Sequence, residues 1–508
     1  MSEPLILPLD AHNRRLLGNV HPEGHVNPEP RGRYHLVVLG AGTGGLVTAA
    51  IAAALGARVA LLEKRLAGGD CLNVGCVPSK ALLRAARSWS EARRSAADFG
   101  GPRAAGGEDF ALVMARLRRL RADLSANDSV ARFRSLGVDV FLGEGRFASA
   151  DTIEVEGARL RFRRAVIATG GRPAVPDVPG LGAVDPLTNE TVFWLTERPR
   201  RLAVLGGGPI GCELAQAFAR LGSKVTQVEM LPRIMAREDP EVSELVRRRF
   251  EQEGINVLVG HKAKQVVVEG GRKLLLCEHE GKGIGIEFDA LLCALGRVPN
   301  TAGYGLEELG IPLGKGRTVE TNAYLQTLYP NIYACGDVAG PYQFTHTASH
   351  QAWYASVNAL FAPFRRFRAD YSVIPWATFT EPEVARVGLN ETEARERGIA
   401  CEVTTYGIDD LDRAIAESEA HGFVKVLTAP GRDTILGATI VGEHAGELIV
   451  EFVAAMRHRI GLKKILGTIH IYPTLAEANK YAAGVWRKAR APEGLLRKVE
   501  RFHAWMRG

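Results

Sequence analysis

Apolar and polar positions change period several times along this chain. HLVVLG (35–40) is a short unbroken apolar run, which suits a strand buried on both faces. LVTAAIAAALG (46–56) is long enough for a helix, and RVALLE (58–63) is a second strand. Asp109–Leu136 predicts one long Arg-rich amphipathic helix. TIEVEG and LRFRRAVIATG predict a small antiparallel sheet that returns to a parallel one.

The opening pattern then recurs. RLAVLGGG, PIGCELAQAFARLG and KVTQVEM repeat strand, helix and strand from residue 201. Gly40, Gly42 and Gly45 correspond to Gly206, Gly208 and Gly211, and Glu63 corresponds to Glu229. AVIATGGRP ends one copy and ALLCALGRVP the other, carrying Gly170 and Gly296. Such repetition predicts two nucleotide-binding domains of shared design. From about residue 370, strand-rich sequence followed by helices predicts a separate α+β domain. Residues 1–33 lack periodicity and read as an extended arm, with His12, His21 and His25 solvated.

Composition narrows the class. A chain of 508 residues exceeds one core, and 46% hydrophobic with 24% charged residues is ordinary for a globular protein. The net charge of +7 is concentrated in residues 486–508, with seven Lys/Arg against two Glu. A terminal helix that docks on the body or stays solvated is favoured there over contact with an anionic membrane surface. No basic patch interleaves with aromatics, so nucleic acid is not an expected partner. Seven scattered cysteines are not a secreted disulfide framework, and LILPL is too short for a secretory apolar core. Residues 36–62 have the hydropathy of a membrane span, but Gly40, Gly42, Gly44 and Gly45 argue for strand, turn and buried helix. The expected location is cytoplasmic.

Three motifs carry chemistry. GAGTGG lies between strand and helix, where glycines admit a pyrophosphate at a helix N-terminus, and Glu63 is placed to accept from ribose hydroxyls. GGGPIG, with Gly207, Gly208, Ile210 and Gly211, repeats the device. Glu229 favours a free 2′-hydroxyl over a 2′-phosphate, hence NADH over NADPH, although Arg233 lies nearby. GGDCLNVGCVPSK (68–80) places Cys71 and Cys76 five positions apart after glycine turns. A strained disulfide, a zinc half-site and two structural thiols all suit this spacing. Zinc would need a second cysteine pair, and none is spaced for it, so no metal site is expected.

These motifs, with ACGDV (334–338), closely resemble the pyridine nucleotide-disulfide oxidoreductases from about Tyr34 to Glu477. That family includes dihydrolipoyl dehydrogenase, glutathione reductase and mercuric reductase. The resemblance implies an α/β fold of two Rossmann-like domains, for FAD and NAD, plus a C-terminal α+β dimerisation domain. The implied boundaries are 34–184 and 298–368 for the FAD domain, 185–297 for the NAD domain and 369–485 for dimerisation, between an arm (1–33) and a basic tail (486–508). It implies that Cys71 and Cys76 form a redox-active disulfide, Cys71 attacking substrate and Cys76 lying nearest the flavin. Lys80 takes the place of the lysine near the flavin and Glu213 that of its carboxylate partner. Asp337 matches the acid that holds the ribityl chain. Thr169, Gly170 and His346 would lie along the FAD site, and Gly145 close to the adenine. His346 is expected to act through its backbone at a helix start.

The pattern breaks near the C-terminus. The disulfide reductases end in His-Pro-Thr-x-x-Glu, whereas this chain reads HIYPTLAE. Pro473, Thr474 and Glu477 align, and Tyr472 stands in place of the acid–base histidine. His470 would share a face with Tyr472 on an extended segment. A positioned acid–base contributes roughly 10²–10⁴ in rate, so dihydrolipoamide turnover is expected to suffer. Mercuric reductases look similar here, since a soft metal ion needs thiolates and electrons rather than a proton shuttle. They also carry a C-terminal cysteine pair, and this chain has no cysteine after Cys401. The N-terminal metal-binding domain that many of them have is not expected here. The expectation is a homodimer passing electrons from NAD(P)H through FAD to Cys71–Cys76, with Tyr472 and Glu477 supplied by the partner. The expected acceptor is thiophilic, a metal ion or small molecule. The alternatives are a dihydrolipoyl dehydrogenase-like or other disulfide reductase, and a slow-turnover flavin-bearing binding or sensing protein.

Overall fold

The structure, a computed structural model, describes residues 6–104, 109–362 and 364–508. The chain divides into two units, Met1–Pro232 with Glu253–Asp370, and Arg233–Gln252 with Tyr371–Gly508.

In the first unit the strand Arg33–Leu39 lies between Val59–Glu63 and Ala158–Ile167. Asp139–Leu142 adds beyond Val59–Glu63, Ile332–Ala334 beyond Ala158–Ile167, and all run parallel. Successive side chains of a strand point to opposite faces. Leu36 and Val38 accordingly join one apolar cluster with helix Thr43–Ala54, while Val37 and Leu39 join another with Phe147 and Phe162. The second copy has the same strand order: Asn256–Val259, Lys224–Glu229, Arg201–Leu205, Ala290–Cys293, again parallel. An antiparallel meander of Lys262–Glu269, Arg272–His279 and Lys282–Phe288 is inserted before its last strand. The short pair Gly171–Pro173 and Arg297–Pro299 joins the ends of the two copies.

Two expectations are corrected. Asp109–Leu136 is not one helix: Phe110–Leu124 ends in a 3₁₀ turn, and Val130–Ser135 starts afresh. Ser129 accepts from the Arg132 amide, and this side-chain cap competes with helix continuation. The arm is not simply extended. Ala11–Val20 is a helix capped by Asp10, with Leu16 and Val20 fully buried. His21 and His25 are bonded to the carbonyls of Arg65 and Val140 rather than left to solvent.

The second unit holds a five-stranded antiparallel sheet in the order Pro375–Thr378, Glu383–Gly388, Ile435–Gly442, Phe423–Thr428, Glu402–Gly407. Helices including Val450–Arg457 and Glu477–Lys488 supply its core with Phe452, Ala482 and Trp486. Residues 233–252 group here rather than with 185–297, because Lys425 bonds Asp239 (3.2 Å) and Arg386 pairs with Glu238 (3.0 Å). Asp239, Glu241 and Glu391 converge as a metal site would, but the Lys425 ammonium bonds all three. The basic tail forms helix Glu493–Met506, which leaves Leu496, Phe502 and Trp505 exposed. No described helix is long and apolar enough to cross a membrane.

Candidate active site

The two glycine loops are built alike. Gly40 and Gly206 have φ of +100° and +114°, and a Cβ at either would meet a carbonyl oxygen, of Ala168 or Ala294, at 2.4 Å. Gly45 and Gly211 sit against the carbonyls of Gly40 and Gly206, so each loop closes only around glycine. The acids at the strand ends also match. Glu63 accepts from the amides of Ala41 (2.8 Å) and Arg65 (2.7 Å), and Glu229 from those of Gly207 (2.6 Å) and Leu231 (2.7 Å). Burial pushes the Glu63 carboxyl up, against the pull of those amides. Each acid thus ties its glycine loop with one oxygen and the turn that follows its own strand with the other. Ile210, one residue into the second helix, is partly exposed.

Between the loops lies the cysteine pair. Cys71 sits inside the one-turn helix Gly69–Asn73, and Cys76 is the first residue of the long helix Cys76–Phe99. Both are free thiols, and their sulfurs hydrogen-bond each other. Cys76 Sγ also lies 3.3 Å from Thr345 Oγ1. Cys71 as donor, then Thr345 and the Lys80 charge, hold the Cys76 pKa down at about 6, against burial. The Cys71 thiol is pushed well up by sharing its proton with Cys76 and by burial. The pair is thus one thiolate and one thiol. Lys80 lies one turn into the same helix and bonds Glu213 at 2.7 Å, and the Glu213 side chain is almost buried. Glu213 is therefore a paired carboxylate rather than a loose surface acid.

Further expected residues cluster around these. The Thr169 hydroxyl donates to Asn300 O (2.8 Å), and Gly170 at φ +67° borders open space, as does Gly296 at φ +106°. Asp337 accepts from Arg297 Nε at 3.1 Å, and burial raises its carboxyl. A Cβ at Gly145 would meet Leu62 Cδ2 at 2.5 Å, at the edge of the first loop's sheet. His346 is the second residue of helix Thr345–Phe361, and its ring stacks on Phe344 at 5.2 Å. Sequence reasoning missed Arg297, which bonds Asp70 as well as Asp337 and Gly171 O. It stands beside Gly296 in GRVPN, and that proximity was a usable signal. It also missed Thr345, for which position 344–346 offered none, since the contact with Cys76 joins residues 269 apart.

Tyr472 and Glu477 lie in the second unit. Tyr472 is 64% exposed and donates to Asp412 Oδ2 at 2.9 Å, which raises its pKa. Glu477 is buried and accepts from the Thr474 amide (3.3 Å) and the Tyr481 hydroxyl (3.2 Å). His470 does not share the face of Tyr472. Its side chain is nearly buried, with Nε2 3.0 Å from Glu451 Oε1 and Nδ1 3.0 Å from Thr468 O, and the chain bends at Tyr472 and Pro473 instead of continuing as a strand.

Comparison with known proteins shows the family. The profile of the pyridine nucleotide-disulphide oxidoreductases matches residues 34–352, and that of the family's dimerisation domain matches residues 374–483. The chain belongs to this family. It is 35% identical over 451 residues to a mercuric reductase of Lysinibacillus sphaericus, covering 89% of this chain and 82% of that one. It is 36% identical over 454 residues to a dihydrolipoyl dehydrogenase of Chlamydia muridarum, covering 87% and 95%. Among solved structures, a Cu(II) complex of the HOCl-induced flavoprotein disulfide reductase RclA from Escherichia coli superposes with a TM-score of 0.79 at 26% identity, covering 89% and 99%. This oxidoreductase is therefore a flavoprotein enzyme with a redox-active disulfide, and its dimerisation domain supports a homodimer.

The oxidoreductase has room for the family's FAD and pyridine nucleotide. Helices Thr43–Ala54 and Pro209–Arg220 both start without a side-chain cap, which leaves their first amides for a phosphate. A Cβ at Gly208 would meet nothing within 4 Å, and one at Gly42 only Gly69 Cα at 3.7 Å. The residues present fit both nucleotides.

Proposed function

We propose that this oxidoreductase uses NADH to reduce a thiophilic electrophile, a soft metal ion in thiol complex, at Cys71 and Cys76. The observation that carries the reading is the absence of a proton shuttle where disulfide reductases keep one: Tyr472 is tied to Asp412 with its pKa raised, and His470 to Glu451. A disulfide substrate leaves as a thiolate that must be protonated. A soft ion releases small thiol ligands that take the Cys71 proton or one from solvent, so no dedicated acid–base residue is required. Cys71 sulfur displaces one thiol ligand from the ion, and the Cys71 proton leaves with that ligand. Cys76, mostly thiolate above about pH 6, then displaces the second ligand, which leaves as a thiolate and is protonated by solvent. When bound, FAD would supply two electrons drawn from the nicotinamide; the ion leaves as the metal, Cys76 stays a thiolate, and Cys71 takes back one proton from solvent, ready to load again. Lys80 and Glu213 hold their pairing beside the thiols throughout. Glu229 supports NADH, because a 2′-phosphate beside a carboxylate would be repelled.

The second reading is a disulfide reductase, favoured by the likeness to dihydrolipoyl dehydrogenase. Anaerobic NADH oxidation with Hg(II)–thiol complex and with lipoamide, using Cys71→Ser as control, separates the two. The proposal expects Cys71-dependent turnover with Hg(II) and a lipoamide rate that rises about 10²-fold in Tyr472→His. Fast lipoamide turnover by the natural protein with none on Hg(II) would overturn it.

A further inference from the structure

The N-terminal segment precedes the residues that the family profile matches, yet it reaches the loop between the two cysteines. Cys71 and Cys76 are joined by residues 72–75, and Asn73 sits inside that link with both its carbonyl and its side chain engaged. Asn73 Nδ2 donates to Ala67 O (3.0 Å) and Gly69 O (2.9 Å), closing the turn that carries Cys71. Asn73 O accepts from Arg121 Nη1 at 2.7 Å. The second arm of that guanidinium, Nη2, donates to Asn13 Oδ1 at 2.8 Å. Asn13 and Arg121 are both fully buried, and the Arg121 Nε has no hydrogen-bond partner. Asp10 fixes Asn13 from the other side: it accepts from the Asn13 amide (2.8 Å) and from Arg118 Nε (2.5 Å). The end of the same helix holds the start of the cysteine loop, since Ala67 N donates to Val20 O at 3.1 Å.

A buried guanidinium shared between two neutral acceptors is costly to keep for packing alone. We infer that the N-terminal helix is part of the redox apparatus: Asn13 and Arg121 are positioning residues that set the loop between Cys71 and Cys76, and with it the thiol–disulfide equilibrium. A disulfide tolerates little error in the placement of its two cysteines, so a four-residue link held from its middle controls how readily the bond closes. The inference rests on the reading of this pair as the redox couple and is independent of the acceptor.

The test is the equilibrium of Cys71–Cys76 in the flavin-loaded protein against graded mixtures of reduced and oxidised dithiothreitol, read by alkylation of free thiols. Asn13→Ala is expected to shift that equilibrium by about tenfold or more, equivalent to ~30 mV for a two-electron couple. Asn13→Asp keeps an acceptor for Arg121 but loses the donation from Asn13 Nδ2 to Pro8 O (2.7 Å), so it is expected to recover only part of the shift. Asn19→Ala removes a bond of the same helix to Ser125 and leaves the Asn13–Arg121–Asn73 chain untouched, so it should not shift the equilibrium. An unchanged equilibrium in Asn13→Ala, or an equal shift in Asn19→Ala, would overturn the inference. Should Asn13→Ala not fold, Arg121→Lys, which keeps the charge and loses the fork, is read against the same outcomes. A redox equilibrium that moves while neither Hg(II) nor lipoamide is turned over would refute the acceptor reading alone.

Discussion

At the scale of single residues, the chemistry rests on an uneven sharing of one proton between two thiols. Cys76 is favoured as the anion by Cys71, by Thr345 and by the Lys80 charge, and its pKa lies near 6 rather than its ordinary 9.0. Reduced protein should therefore gain thiolate as pH rises through about 6, visible as ultraviolet thiolate absorbance. The Thr345 hydroxyl stabilises the charged form, so its loss must raise the midpoint. A hydrogen bond to a charged group contributes about 1.5–3 kcal/mol, and one pKa unit is ~1.36 kcal/mol, so Thr345→Val is expected to move the midpoint up by about one to two units. A midpoint that stays put would assign the depression to Cys71 and Lys80 instead.

At the scale of elements, the two glycine loops differ in what each glycine does, and substitution separates the roles. Gly206→Ala collides with the Ala294 carbonyl at a positive φ and should damage the loop itself. Gly208 has φ −77° and ψ 179°, which alanine adopts freely, and its Cβ would enter open space. Gly208→Ala should therefore leave stability and flavin content unchanged. It should raise KM for NADH by about tenfold, equivalent to ~1.4 kcal/mol of binding, by intruding where the pyrophosphate goes. Unchanged NADH affinity, measured by steady-state kinetics, would remove this loop from the nicotinamide site. Element boundaries were less legible than the loops. The break at Ser125–Ser129 depends on a side-chain cap, and the N-terminal helix has too few apolar residues to show a period without its partners.

At the scale of the whole molecule, the second unit holds a buried ionic centre. Lys425, 3% exposed, sets its buried charge against Asp239, Glu241 and Glu391, and all three accept from it. Breaking a buried pair leaves an uncompensated charge and costs about 3–5 kcal/mol. Lys425→Met is expected to lower the thermal midpoint by several degrees, measured by circular dichroism. An unchanged midpoint would show that the carboxylates take up protons at little cost.

Features that repeat or act at short range were legible in the chain alone. Two strand–glycine–helix units with an acid at the same offset, and two cysteines ahead of a helix, follow from local spacing, since a pyrophosphate loop needs its glycines within a few residues of one another. Tyr472 in place of histidine was equally legible. The Lys80–Glu213 pairing was implied by the resemblance and is present in the fold, whereas other bonds between distant parts of the chain emerged only on folding: Thr345 against Cys76, Arg297 between Asp70 and Asp337, and Asn13 through Arg121 to Asn73. None of the latter has a period or a motif, because each is set by which elements the folded core places side by side. It was the same folding that turned His470 away from Tyr472 and toward Glu451, where a nearly buried imidazole finds the carboxylate it requires.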